Sequence, residues 1–139
     1  MSVRLTITRR ATFAAAHRLY HPDWSEERNA EVFGPCANLG GHGHNYVVEV
    51  TIGGELDPAT GMIVDLKWLK QVMEREVINL VDHRNLNTDV AFLRGLNPTA
   101  ENLALAFWDR LQEPVSQQAQ LVRLVVIETE NNRATIEVS

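Results

Sequence analysis

The stretch His42-Gly43-His44-Asn45-Tyr46-Val47-Val48-Glu49-Val50-Thr51-Ile52 decides the fold. Its even-numbered positions carry His, His, Tyr, Val, Val and Ile, and its odd-numbered ones include Asn45, Glu49 and Thr51. Successive side chains of a strand point to opposite faces, so this alternation predicts a strand with one buried face. One-sided strands belong to antiparallel sheets that are covered on one side and wet on the other.

The cover must come from the flanking sequence. Upstream, Val3, Leu5 and Ile7 alternate in the same way, and continuing that register puts Phe13, Ala15 and His17 on one face. Residues 21–35, with Pro22, Gly34 and Pro35, read as a long loop holding a short helix at Ser25–Val32. Downstream, Gly53-Gly54 marks a bend or bulge, Asp57-Pro58-Ala59-Thr60-Gly61 is turn chemistry, and Met62–Val64 reads as a short strand extension. Asp65 is a predicted N-cap for a helix over Leu66–Leu80, whose apolar stripe is Leu66, Leu69, Val72, Met73, Val77 and Leu80. Residues 82–98 show no sustained period. Thr99 then caps a second helix, with Leu103, Ala106, Phe107 and Leu111 inward and Pro114 just past its end. Leu121–Thr129 is apolar on both faces and reads as a central strand. Asn131-Asn132 suits a hairpin turn before a last strand at Ala134–Val138. Strand, strand, helix, helix, strand, strand makes an α+β class, a four-stranded antiparallel sheet with two helices on one face. Long unpaired edges predict oligomerisation by joining sheets into a barrel.

Composition narrows the function. The 139 residues suit one domain spanning 1–139, and 45% are apolar, which argues against global disorder. Thirteen basic against eighteen acidic side chains, net charge −5, argue against a nucleic-acid partner. No stretch approaches ~20 apolar residues, so no membrane span is expected, and the first residues alternate instead of forming a signal h-region. The single cysteine, Cys36, excludes an intrachain disulfide and points to a reducing, cytoplasmic setting.

The chemistry-bearing residues gather around the deciding strand. His42 and His44 project two imidazoles to one side, as two ligands of one metal must. Imidazole suits zinc, whose catalytic sites take three protein ligands and keep an open position. His17 is the third candidate, although paired histidines also occur on strands without a metal. Cys36 reads either as a small buried hydrophobe or as a base whose thiolate a nearby cation favours. Asp82-His83 reads as an oriented imidazole base or as a cap of the preceding helix. Glu128 is either a solvated strand-end acid or a pocket carboxylate that accepts two N–H bonds from an amidine-like ring edge.

In this order the pieces resemble the 6-pyruvoyltetrahydropterin synthase family. The matching blocks are Phe-Ala-Ala-Ala-His17-Arg-Leu, Phe-Gly-Pro-Cys36, Gly-His42-Gly-His44-Asn-Tyr46, Asp57-Pro-Ala-Thr-Gly-Met, Asp82-His83-x-Asn-Leu-Asn, Pro98-Thr-Ala-Glu-Asn and Glu128-Thr-Glu-Asn-Asn. The resemblance implies the tunnelling fold, a ββααββ unit that assembles into β-barrels as a homohexamer. It implies Zn2+ on His17, His42 and His44, and Cys36 as catalytic base, partnered by Asp82 and His83 across a subunit interface. Glu128 is implied as the anchor of the pterin ring, with Thr99 as a weaker contact. The implied activity is a lyase that turns 7,8-dihydroneopterin triphosphate into 6-pyruvoyltetrahydropterin and triphosphate. A relative in the family makes 6-carboxytetrahydropterin for queuosine biosynthesis, releasing acetaldehyde. The five residues between Cys36 and His42 and the long loop before Gly34 resemble the pyruvoyl enzymes. A non-catalytic zinc- or pterin-binding module is the remaining reading, and it fits poorly with the presence of both Cys36 and His83. Arg18, Lys67 and Arg133 are candidates for the triphosphate.

Overall fold

The computed structural model describes residues 2–139. β1 (Thr6–His17) enters and is followed by α1 (Glu26–Phe33), capped by the Ser25 hydroxyl. A single 3-10 turn at Gly34–Ala37 leads into β2 (His42–Gly53). The next helical stretch has three pieces: α2 (Leu66–Met73), a π turn (Glu74–Ile78) and α3 (Asn79–Val81). β3 (Arg84–Asn85), α4 (Ala100–Ser116), β4 (Gln120–Thr129) and β5 (Asn132–Glu137) complete the chain. The expected α+β class holds, with five strands instead of four, ordered β3-β1-β2-β4-β5. The added strand is only two residues long and runs parallel to β1 at Ala15 and Ala16, too short to leave a periodic trace.

The core lies between the helices and one sheet face. Phe13, Tyr46, Val48, Val50, Ile52, Leu124 and Val126 meet Leu69, Val72, Met73, Leu103, Phe107 and Leu111. At about 25 cal/mol per Å² of apolar surface removed from water, this layer is the main stabilising term. Asp65 and Thr99 cap α2 and α4 as expected, accepting from Lys67 N and Asn102 N. Four local expectations fail. Met62–Val64 forms no strand: after the turn at Gly61, φ +72°, a single bridge joins Met62 to Asp57. Pro114 lies inside α4, tolerated in its last turn. Leu66 and Leu80 are exposed, and Val81 takes the buried seat meant for Leu80. Val3 and Leu5 lie exposed ahead of β1. Among the described residues no helix is long and apolar enough to cross a membrane.

Candidate active site

The β1–β2 register builds the centre of the site. His17 pairs directly with His42, and Ala15 with His44, so three imidazoles emerge on one face of two adjacent strands. One ring nitrogen from each lies within 4.8 Å of the others, and His17 Nε2 is 3.1 Å from His42 Nε2. His17 is wholly buried. Its Nδ1 lies 2.9 Å from the carbonyl of Pro98, at the entry to α4, and 3.1 Å from the Tyr46 phenol. Tyr46 is clamped in turn by stacking on Phe13, ring centroids 4.7 Å apart.

Burial favours the neutral ring at His17 and at His44. Burial lowers the His17 pKa, opposed by the Pro98 carbonyl and the Glu128 carboxylate. Burial also lowers that of His44, with Glu128 again opposing. Burial drives the Tyr46 phenol far above its ordinary range, and the neighbouring Glu128 and Cys36 add to the shift. Neutral imidazoles are what a metal needs as ligands. The donor set fits one: Nε2 of His44 is buried without any hydrogen-bond partner, and Glu128 Oε1, at 3.7 Å, is too far to serve as one. An unpartnered buried polar atom destabilises the fold, and a cation shared by His17, His42 and His44 removes that defect.

Cys36, a free thiol on the 3-10 turn, is half-buried. Two bonds tie its loop to the residues after His17: Leu19 N–H donates to the Cys36 carbonyl at 2.8 Å, and Arg18 Nε donates to the Ala37 carbonyl at 2.8 Å. Asn87 locks Arg18 from the other side, accepting from its N–H at 2.7 Å and donating to its carbonyl at 2.8 Å. Arg18 therefore holds the Cys36 loop through its Nε. Lys67 sits exposed in the first turn of α2, and Arg133 opposite Ile127 on β5. Thr99 spends one hydroxyl lone pair on its helix cap.

Asp82 and His83 stand on the sheet edge. Asp82 Oδ1 accepts from Ala14 N–H at 2.9 Å and lies 3.0 Å from His83 Nδ1. The Ala14 bond is the main reason the Asp82 pKa is lowered. His83 has φ +60°, a left-handed conformation uncommon without glycine, and its N–H donates to the Ala14 carbonyl at 2.6 Å. Its N–H bonds to β1 instead of to the helix, while its ring pairs with Asp82. The ring is 82% exposed and rims a shallow depression of about 500 Å³ floored by Ala14, Ala16, Gly43 and Asn45. Within one chain, His17, His42, His44, Tyr46 and Glu128 come together, while the Asp82–His83 pair faces solvent. Sequence reasoning overlooked Tyr46, Pro98 and Asn87 as supports. Tyr46 and Asn87 were visible inside their motifs, whereas the Pro98 carbonyl carries no sequence signal.

The sequence model of 6-pyruvoyl tetrahydropterin synthase matches residues 6–139. The chain belongs to the 6-pyruvoyl tetrahydropterin synthase family. It is 46% identical over 126 residues to the Homo sapiens protein named 6-pyruvoyl tetrahydrobiopterin synthase, covering 91% of this chain and 86% of that one. A solved Caenorhabditis elegans 6-pyruvoyl tetrahydropterin synthase superposes with TM-score 0.89 at 40% identity, covering 99% of this chain and 100% of that one. The family likeness also reaches a Pyrococcus furiosus protein named dihydroneopterin monophosphate aldolase, 32% identical over 122 residues and covering 88% of each chain.

Proposed function

We propose that this family member is a zinc-dependent lyase that converts 7,8-dihydroneopterin triphosphate into 6-pyruvoyltetrahydropterin and triphosphate. The observation that carries the reading is the three-histidine cluster, anchored on the buried His17, with the unpartnered His44 Nε2 beside Glu128. Names of relatives at 46% and 40% identity support it.

His17, His42 and His44 would hold the zinc, which would supply Lewis acidity beside the substrate's side-chain hydroxyls. Cys36, as thiolate, takes a proton next to those hydroxyls. Asp82 fixes the His83 tautomer through Nδ1 and leaves Nε2 free to pass a proton on, the logic of an oriented base. Glu128 accepts two hydrogen bonds from the pterin ring edge, and the Thr99 O–H donates a weaker one. The reaction is redox-neutral: protons shift and triphosphate leaves. Because His83 is so exposed in one chain, we assign the Asp82–His83 pair to the Cys36 of a neighbouring subunit, in a homohexamer whose barrels join through free sheet edges. A reducing cytoplasm keeps Cys36 a thiol.

The alternative is 6-carboxytetrahydropterin synthesis with loss of acetaldehyde, and the aldolase-named relative supplies a family precedent for another reaction. Zinc-loaded protein incubated with 7,8-dihydroneopterin triphosphate is expected to give the pyruvoyl product and free triphosphate by mass spectrometry. A carboxy product with acetaldehyde, or any shortened side chain, overturns the assignment. Bound but unchanged substrate overturns the enzyme reading.

A further inference from the structure

The helix that delivers Asp82 changes its winding midway. In the π turn Glu74–Ile78, Asn79 donates its N–H to the Glu74 carbonyl five residues back. Such a turn admits one residue more than an α turn and rotates the downstream end of the helix by roughly 100°. The core seats record the rotation. An unbroken helix with Leu69 and Met73 inward would seat Leu80, seven residues after Met73. Val77 is inward as expected, but after it Val81 takes the core seat at 0% exposure while Leu80 stands 37% exposed. The next residue, Asp82, leaves the helix from that phase in extended conformation, and its carboxylate accepts from Ala14 N–H. One residue earlier or later, its carboxylate points elsewhere around the helix.

A side chain from another element braces the turn. Arg110, on α4, donates from Nε to the Glu76 carbonyl at 2.7 Å, and its Nη2 lies 3.4 Å from Glu76 Oε2. The guanidinium sits over the Phe92 ring, 4.7 Å from its centroid, which limits its freedom to leave. We propose that Arg110 is a positioning residue: by bracing the π turn it sets the helix phase that places the Asp82–His83 pair against Ala14. The proposal rests on the reading of that pair as a proton relay.

The test uses the zinc-loaded protein with Arg110→Ala, Arg110→Lys and the control Asp82→Asn. Amide hydrogen exchange reads the placement, because Ala14 N–H donates to Asp82 and His83 N–H to Ala14. In Arg110→Ala, these two amides are expected to exchange about tenfold faster, the scale of one lost charge-assisted bond. Amides of Val47 and Glu49, which face Ile127 and Val125 in the β2–β4 ladder, should keep wild-type protection. The kcat should fall about tenfold with KM within about twofold, and lysine, which can still donate to the Glu76 carbonyl, should restore most of it. Unchanged protection at Ala14 and His83, or a loss shared equally with the β2–β4 amides, overturns the positioning role. Full turnover by Asp82→Asn removes the relay reading, and the exchange data judge the placement independently of it.

Discussion

The phenol oxygen of Tyr46 lies 3.1 Å from Nδ1 of His17. The same nitrogen faces the Pro98 carbonyl at 2.9 Å. A carbonyl only accepts, so Nδ1 carries the ring proton and Nε2 turns its lone pair toward His42 and His44. Tyr46 and Pro98 thereby choose the tautomer that suits a metal ligand and hold the ring still, as outer-shell partners of metal-bound histidines commonly do.

Tyr46→Phe should therefore weaken zinc binding while leaving the core intact, since the stack on Phe13 survives. A loss of about tenfold is expected, the lower end for an outer-shell partner. Competition against a chromophoric chelator measures it. Unaltered affinity would show that Pro98 alone suffices.

The acid response of the metal-free protein is set by the histidines. Burial holds His17 and His44 below the ordinary value of 6.5 in the folded state. As pH falls below 6.5, the unfolded chain takes up these protons first, so folded stability is fully present above 6.5 and declines toward the lowered values. The sign is the same for Asp82, whose lowered value gives stability above its ordinary 3.8 that is lost in stronger acid. Thermal melts of metal-free protein between pH 7.5 and 5 should show a falling Tm, with a shallower slope in His44→Gln. Equal slopes in both proteins would contradict the burial argument.

Cys36→Ala should separate chemistry from architecture. The loop is held by the carbonyls of Cys36 and Ala37 and not by the sulfur, so folding and zinc content should be unchanged. Turnover should fall by about 10²–10⁴, the usual worth of a positioned base. Steady-state kinetics with 7,8-dihydroneopterin triphosphate, beside a zinc assay, reads both. A variant with full kcat rules the thiol out as the base.

Gly41→Ala should damage the metal site through the backbone. Gly41 turns at φ +68°, and an added Cβ would lie 2.8 Å from the His17 carbonyl oxygen. Strain of about 1–3 kcal/mol is expected, visible in urea unfolding, together with weaker zinc binding because His42 is the next residue. The same change at Gly40, with open space around it, should be milder.

Periodicity alone located most of the fold: the face His42 to Ile52, the stripe Leu69 to Val77 and the caps Asp65 and Thr99 are local patterns that each element must satisfy to bury its apolar side. The pairing of His17 with His42 and His44 was legible for the same reason, since alternation tells which side chains share a face. What sequence could not reach depends on contacts between distant segments. A two-residue parallel strand at Arg84–Asn85 has no period. The Pro98 carbonyl is a backbone atom that every residue type carries. The π turn shows only in the folded chain, where Arg110 reaches the Glu76 carbonyl and Val81 takes the core seat that the repeat gives to Leu80. Sequence by itself determined which three histidines could hold a metal and which face they occupy, because those follow from side-chain type and local repeat. Only the tertiary structure decided how they are aimed, because tautomer, helix phase and exposure are set by whichever partner the folded chain brings alongside.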